Sequence, residues 1–337
     1  MKVPFDFHLL NDAAANFDKI KSFYRVWTNS TPHIIQKTSG STGNPKEIRV
    51  EKSKMKQSAK MTLDHLKIDE GQSALLCMDS SFIGGKMMIV RSFVGNLKLV
   101  IAPVSSNPVK YLETQIDFAA MVPFQVETIL RENPEKLNYI KNLIIGGAPL
   151  SHSAEQSLLN LNCQAFATFG MTETVSHVAL RPIKKEKTFF EAVGDYTFNT
   201  NNKKCLVISS PSMDLHQLNT NDVVKLIDKK TFEWLGRKDF IINSGGIKIH
   251  PERVEEKLKP LFKGIPFIIS SEKDRLLGEK VILITTKKGK SFVNTDKWKT
   301  LVDKFEVPKS YYFVNEIYYT ESGKIDRLKS VKQLGLD

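Results

Sequence analysis

Gln164-Ala165-Phe166-Ala167-Thr168, running directly into Phe169-Gly170-Met171-Thr172-Glu173-Thr174, is the stretch that decides how this chain is read. The first five residues are a short, mostly apolar run of the kind that forms a buried strand. The next six place a glycine, two hydroxyls and a carboxylate at that strand's carboxyl end. In layered α/β proteins this is the edge where ligands bind. A carboxylate beside a hydroxyl can hold Mg²⁺ on a phosphate.

Upstream, Ser73–Met78, Leu97–Ala102, Phe118–Val122 and Asn142–Ile145 read as further buried strands. Phe124–Arg131 and Ser153–Leu161 read as helices between them. Such alternation predicts an α/β fold, a large layered domain with a largely parallel sheet. Cys205–Ser209 and Val223–Ile227 add β-rich structure. The composition changes after Gly236. A helix over Glu252–Phe262, opened by Pro251, precedes strands at Pro266–Ser270 and Lys280–Thr286 and a helix around Thr295–Glu306. These elements predict a smaller α+β C-terminal domain, with a division into residues 1–237 and 238–337.

The chain has 337 residues and a net charge of +12, from 49 basic and 37 acidic side chains. The lysines are dispersed and lack interleaved aromatics, which argues against nucleic acid and suits a small polyphosphate ligand. No apolar run approaches the roughly 18 residues of a membrane span, and Met1–Leu10 lacks a signal-peptide pattern, so a cytoplasmic enzyme is expected. Cys77, Cys163 and Cys205 stand far apart, with no metal-ligand spacing, and read as buried small hydrophobes. Oligomeric state is not legible.

A second motif lies near the start: Thr38-Ser39-Gly40-Ser41-Thr42-Gly43-Asn44-Pro45-Lys46. Two glycines let a backbone turn bring N–H groups to an anion, the hydroxyls add donors, and Lys46 adds charge. It is not a Walker loop, because the glycine spacing differs and no Ser or Thr follows the lysine. This loop, with Phe169–Thr174, resembles the signature motifs of the acyl-adenylate-forming superfamily. That superfamily includes acyl-CoA synthetases, aryl-CoA ligases, luciferases and peptide-synthetase adenylation domains.

The resemblance implies roles for residues at matching positions. Thr38, Ser39, Gly40, Ser41, Thr42, Gly43 and Lys46 would grip the β- and γ-phosphates of ATP. Thr172 would contact the α-phosphate and Glu173 would bind Mg²⁺. Phe169, with Gly170 and Met171, would lie near the adenine, beside a loop at Gly146-Gly147-Ala148-Pro149-Leu150. Asp222 would take both ribose hydroxyls, although Asn221 stands where relatives carry glycine. Arg237 would also contact the ribose, and Asp239 would be the hinge. Lys324, in Ser322-Gly323-Lys324-Ile325-Asp326-Arg327, would bridge the acid's carboxylate and the α-phosphate; Tyr319-Thr320 lacks a proline common nearby. Asn243-Ser244-Gly245-Gly246-Ile247-Lys248-Ile249 would meet the pantetheine arm of coenzyme A at Gly245 and Gly246, with Lys248 serving the thioester step or the CoA phosphates.

Only Met1–Lys37 precede the phosphate loop, far fewer than in most relatives, which implies a truncated adenylating core. In this the chain resembles the short o-succinylbenzoate–CoA ligases of menaquinone biosynthesis. Ser81-Phe82-Ile83-Gly84-Gly85-Lys86-Met87-Met88-Ile89-Val90-Arg91 agrees. By that match Arg91 lies near the substrate's second carboxylate, which an arginine can hold bidentately. Lys86, five residues away, does not share its helix face well. Phe82 replaces a histidine and takes no chemical role. Ser176 and His177 edge the acyl pocket, though His177 reads equally as a satisfied core histidine. The expected reaction joins a small carboxylic acid to CoA through an acyl-adenylate, using ATP and Mg²⁺. The alternatives are another aryl- or acyl-CoA ligase, a carrier-protein-loading enzyme, and a degenerate nucleotide-binding module.

Overall fold

The computed structural model describes residues 7–10, 13–37, 47–293, 295–320 and 325–335. The chain enters at strand β1 (Phe7–Leu9), followed by helix α1 (Ala14–Thr28) and an antiparallel ribbon of β2 (His33–Lys37) and β3 (Glu47–Glu51). Helix α2 (Lys52–Leu66) leads into strand β4 (Ser73–Leu76), helix α3 (Ile83–Val94) and strands β5 (Lys98–Ile101) and β6 (Ile116–Met121). Helix α4 (Pro123–Glu132), strand β7 (Ile140–Ile145), helix α5 (His152–Leu158) and strand β8 (Gln164–Gly170) complete the alternation.

Strands β1, β5, β4, β6, β7 and β8 lie side by side and parallel. Their apolar runs are continuous because helices cover both faces. Within β4, Ala74 and Leu76 point to one core with Met55, Ala59, Met87 and Met88 of α2 and α3. Leu75 and the following Cys77 point to the other, with Val126, Ile129, Ala154 and Leu158 of α4 and α5. Cys77 and Cys205 are buried as expected, whereas Cys163 is only half-buried.

The same sheet then changes direction. Strands β9 (His177–Pro182), β10 (Phe190–Ala192), β11 (Thr197–Thr200), β12 (Cys205–Ser210), β13 (Leu215–Leu226) and β14 (Thr231–Arg237) continue it antiparallel, in the order β8-β9-β10-β14-β13-β12-β11. The sheet is thus parallel over only one half. The reason is local: β8 passes to β9 through the short turn Met171–Ser176, and a parallel partner needs a crossover of a dozen residues or more.

A second sheet begins at β15 (Ile242–Ser244) and β16 (Ile247–Ile249), followed by helix α6 (Pro251–Phe262) and strands β17 (Phe267–Asp274) and β18 (Gly278–Thr286). A short helix α7 (Thr295–Trp298), strand β19 (Ser310–Val314) beside β18, and helix α8 (Arg327–Lys332) follow. The helix expected to reach Glu306 stops at Trp298. Trp298, Val302 and Val307 all enter one core, and the five-residue step between the last two cannot share a helix face. The chain therefore continues in turns, held by Glu306, whose carboxylate accepts the Asp303 N–H (3.0 Å) and pairs with Lys257 (2.6 Å).

Contacts join the two sheets' layers. Glu252 on α6 accepts the backbone N–H of Arg237 (3.2 Å), and Lys259 Nζ donates to the Leu150 carbonyl (3.5 Å). No helix among the described residues is long and apolar enough to cross a membrane.

Candidate active site

The loops after β7 and β8 lie at the carboxyl edge of the parallel strands. Gly146, Gly147 and Ala148 leave β7, where Gly147 faces Val122 at the end of β6. At the end of β8, Gly170 is in close contact with the returning chain. A Cβ there would stand 2.5 Å from His177 Cα and from the Ser176 carbonyl. Gly170→Ala must therefore push backbone apart, and overpacking of this kind costs about 1–3 kcal/mol. A lowered Tm with weakened binding of the acid is expected; unchanged melting and KM would reject this reading of the turn.

Met171 to Ser176 form a compact unit in which Thr174 was not anticipated from sequence. Thr174 is buried, its hydroxyl accepts the Met171 N–H (3.1 Å) and lies 2.9 and 2.8 Å from the carbonyls of Met171 and Ser176. Val175 follows with φ 68° and ψ −48°, and the Ser176 N–H bonds to the Thr174 carbonyl at 2.7 Å. That is the rare, strained γ-turn geometry. The strained turn leaves Glu173 exposed and Thr172 half-exposed. No group of three or more metal-binding side chains occurs among the described residues. An exposed carboxylate such as Glu173 fits the expected Mg²⁺, which keeps waters and takes only one or two protein carboxylates beside a phosphate.

The two residues expected at the ribose come together across β13 and β14, where Asp222 pairs in register with Arg237. Asp222 is buried, and its Oδ1 accepts the Trp234 indole N–H at 2.9 Å. Arg237 Nη2 holds Asp239 Oδ2 at 2.6 Å, and Asn221 Nδ2 approaches the same oxygen at 3.4 Å. Asn221, the departure from glycine, thereby gains a contact to the residue expected as hinge. The half-buried Phe169 ring packs edge-on against Phe232 (5.2 Å) and Phe190 (5.8 Å).

Arg91 occupies a different environment from Lys86. Lys86 donates to the Gln36 side chain (2.6 Å) and lines a cleft of 440 Å³ between α1, β2 and the start of α3. Arg91 is 2% exposed. Its Nη2 donates to Ser176 Oγ at 2.8 Å, its Nη1 approaches the Met88 sulfur at 3.7 Å, and its Nε finds no acceptor. None of these described partners is a carboxylate. Burial pushes the guanidinium down to about 9, which still leaves it charged at neutral pH. An unpaired buried cation costs several kcal/mol, a cost that an anion beside Arg91 would offset.

His177 is buried, with Nε2 3.1 Å from Thr62 Oγ1 on α2. Burial, then the charges of Arg91 and His65, hold its pKa well below the usual 6.5. With a folded pKa depressed below the unfolded one, its contribution to stability is complete above about 6.5 and is lost as pH falls below that value. Tm should therefore drop on acidification from neutral pH, and less steeply in His177→Gln. Equal slopes would show that His177 titrates alike in both states.

In the smaller sheet Gly245 and Gly246 form the tip of the β15–β16 hairpin, with φ of 56° and 80°. Two left-handed residues at a hairpin tip favour glycine. Lys248 lines a cleft of 490 Å³ with Lys304 and Phe305. Lys304 Nζ lies 4.7 Å from the Phe305 ring centre. Nothing in the spacing singled out this lysine and aromatic pair. The expectations for Thr38, Ser39, Gly40, Ser41, Thr42, Gly43, Lys46 and Lys324 fall outside the described residues. Lys37 and Glu47, on either side of the first motif, are register partners in the β2–β3 ribbon.

The half-parallel sheet, the threonine–glutamate turn at its carboxyl edge and the aspartate–arginine pair on β13 and β14 fit an adenylate-forming enzyme, one that spends ATP. The chain belongs to the AMP-binding enzyme family, whose sequence pattern matches residues 8–204. A 2-succinylbenzoate–CoA ligase of Staphylococcus epidermidis is 23% identical over 88% of this chain and 68% of its own. One from Listeria innocua is also 23% identical, over 90% and 71%. Among solved structures, an acyl-CoA synthetase (AMP-forming)/AMP-acid ligase II-like protein from Dyadobacter fermentans is 30% identical over 95% of both chains, with a TM-score of 0.63. O-succinylbenzoate coenzyme A synthetase from Bacillus subtilis, solved with ATP and magnesium, superposes at a TM-score of 0.75 with 18% identity over 88% of this chain and 69% of its own.

Proposed function

We propose that this enzyme converts o-succinylbenzoate, ATP and CoA into the acyl-CoA, AMP and pyrophosphate. The observation that carries the proposal is Arg91, a buried guanidinium with only neutral described partners, next to the turn that bears Thr172 and Glu173. An aromatic acid with a second carboxylate supplies the missing anion. Ser176 is the less buried of the pair and marks the side from which that anion arrives.

In the first step a carboxylate oxygen attacks the α-phosphorus and pyrophosphate leaves. Thr172 orients the α-phosphate, and Asp222 and Arg237 hold the ribose. Glu173 and Thr172 would hold Mg²⁺, whose charge, when bound, offsets that of the phosphates. Lys46 and the loop from Thr38 to Gly43 grip the leaving phosphates, and Lys324 offsets the repulsion between the two reacting anions. In the second step the CoA thiolate attacks the acyl carbon, and AMP leaves.

Residues 238–337 act in this reading as a mobile domain turning about Asp239. Supporting it, the large sheet ends at Arg237, the small one starts at Ile242, and Asp239 lies between. Tyr319 and Ile325 pair on either side of residues 321–324, and burial, then the charge of Glu127 on α4, raises the pKa of the Tyr319 hydroxyl. The cleft of Lys248, Lys304 and Phe305 offers phosphate-binding cations and an aromatic face to the nucleotide end of CoA. Soluble substrates support a cytoplasmic setting for this reaction.

The test is pyrophosphate release from MgATP with a panel of acids, with and without CoA. Selective, CoA-dependent turnover of o-succinylbenzoate is expected. Turnover of monocarboxylic acids alone would remove the substrate assignment and keep the reaction class.

A further inference from the structure

The hydrogen bonds behind Arg91 can be followed proton by proton. Ser176 Oγ accepts from Arg91 Nη2 (2.8 Å) and lies 3.5 Å from His177 Nδ1. His177 Nε2 lies 3.1 Å from Thr62 Oγ1, which lies 2.9 Å from the Ser58 carbonyl one helical turn back. Each hydroxyl has one proton, and a neutral imidazole has one N–H. His177 is neutral, since burial and the charge of Arg91 both oppose a second proton.

Two arrangements are then possible. If Thr62 donated to Nε2, the imidazole proton would sit on Nδ1 and point at Ser176 Oγ. Ser176 would then face two donors, Arg91 and His177, and Thr62 could not also donate to Ser58. If the proton sits on Nε2, Thr62 accepts it and gives its own to the Ser58 carbonyl. Ser176 then accepts from Arg91 and donates to Nδ1. In the second arrangement each hydroxyl donates once and accepts once, and no group competes with Arg91 for Ser176.

We propose that Thr62 is a positioning residue for recognition of the acid's second carboxylate: by accepting the Nε2–H of His177 it keeps Nδ1 an acceptor, turns the Ser176 hydroxyl toward it, and leaves the Ser176 lone pairs to hold the Arg91 guanidinium. The proposal rests on the reading of Arg91 given above. The relay is neutral from end to end, so it orients Arg91 without neutralising it. A carboxylate in the same place would have quenched the charge the substrate needs.

Thr62→Val keeps the shape and removes the acceptor. Nitrogen-15 NMR of the imidazoles in the unliganded protein, with His177→Gln for assignment, should show His177 protonated on Nε2 in the wild type and on Nδ1 in Thr62→Val. The KM for o-succinylbenzoate should rise roughly two- to tenfold, the scale of one hydrogen bond. kcat and the KM for ATP should hold, and Thr62→Ser should restore both the tautomer and the KM. Wild-type His177 protonated on Nδ1 overturns the relay. A changed tautomer with unchanged KM overturns the positioning role. A wild-type enzyme that ignores o-succinylbenzoate overturns the substrate reading and this role with it, and the NMR result, which needs no substrate, tells the failures apart.

Discussion

Lys324→Ala is expected to lower the rate of acyl-adenylate formation by on the order of 10² to 10³, the cost of removing one positioned charge-stabilising group. The carboxylate of the acid and the α-phosphate are both anions, and bringing them together raises charge density as the new bond forms. A cation that enters only for this step stabilises the transition state more than the ground state, so the loss falls on kcat. ATP binding should be nearly unchanged, because in the proposed function the motif of residues 38–46, Asp222 and Arg237 hold the nucleotide. Thioester formation from acyl-adenylate supplied directly should also survive. The measurement is pyrophosphate release alongside single-turnover conversion of the adenylate. A variant that adenylates normally and fails only with CoA would remove this role from Lys324.

Arg91→Met should separate recognition from stability. Charge-assisted hydrogen bonds are worth about 1.5–3 kcal/mol, so the KM for o-succinylbenzoate should rise by roughly 10- to 150-fold. For a monocarboxylic aromatic acid it should barely change. Replacing an ion buried without a counter-charge by an apolar chain of similar length is often neutral or stabilising. Tm should therefore hold or rise. A structural arginine would give the reverse pattern, with a lower Tm and equal effects on both acids, and either finding would reject the pocket assignment.

The parallel half of the sheet was legible because both-face burial leaves unbroken apolar runs such as Ala74–Cys77 and Leu143–Ile145. The turn of direction at β9 was not, since it depends on the length of one loop rather than on the strand's composition. The β2–β3 ribbon escaped for a related reason. Its register, from His33 opposite Glu51 to Lys37 opposite Glu47, is set by pairing between two strands separated by residues 38–46. The C-terminal helix was drawn too long because Thr295–Glu306 is polar enough for a helix face. Only the core decides that Val307 must turn inward.

For the candidate site, the sequence by itself determined which residue types stand in which order: the glycines, hydroxyls and lysine of the first motif, Thr172 and Glu173 after a strand, and Asp222, Arg237 and Lys324 behind them. Order and type suffice for the class of chemistry, because each group's charge and hydrogen-bonding capacity belongs to the residue itself. Tertiary structure alone decided that Arg91 has no anionic partner among the described residues, that Asn221 reaches Asp239, and that Thr62 meets His177 across 115 residues of chain. Whether a charge is paired, and which nitrogen of a histidine keeps its proton, depends on what the folded chain brings within about 3 Å, the range of a hydrogen bond. Local periodicity carries no information about that.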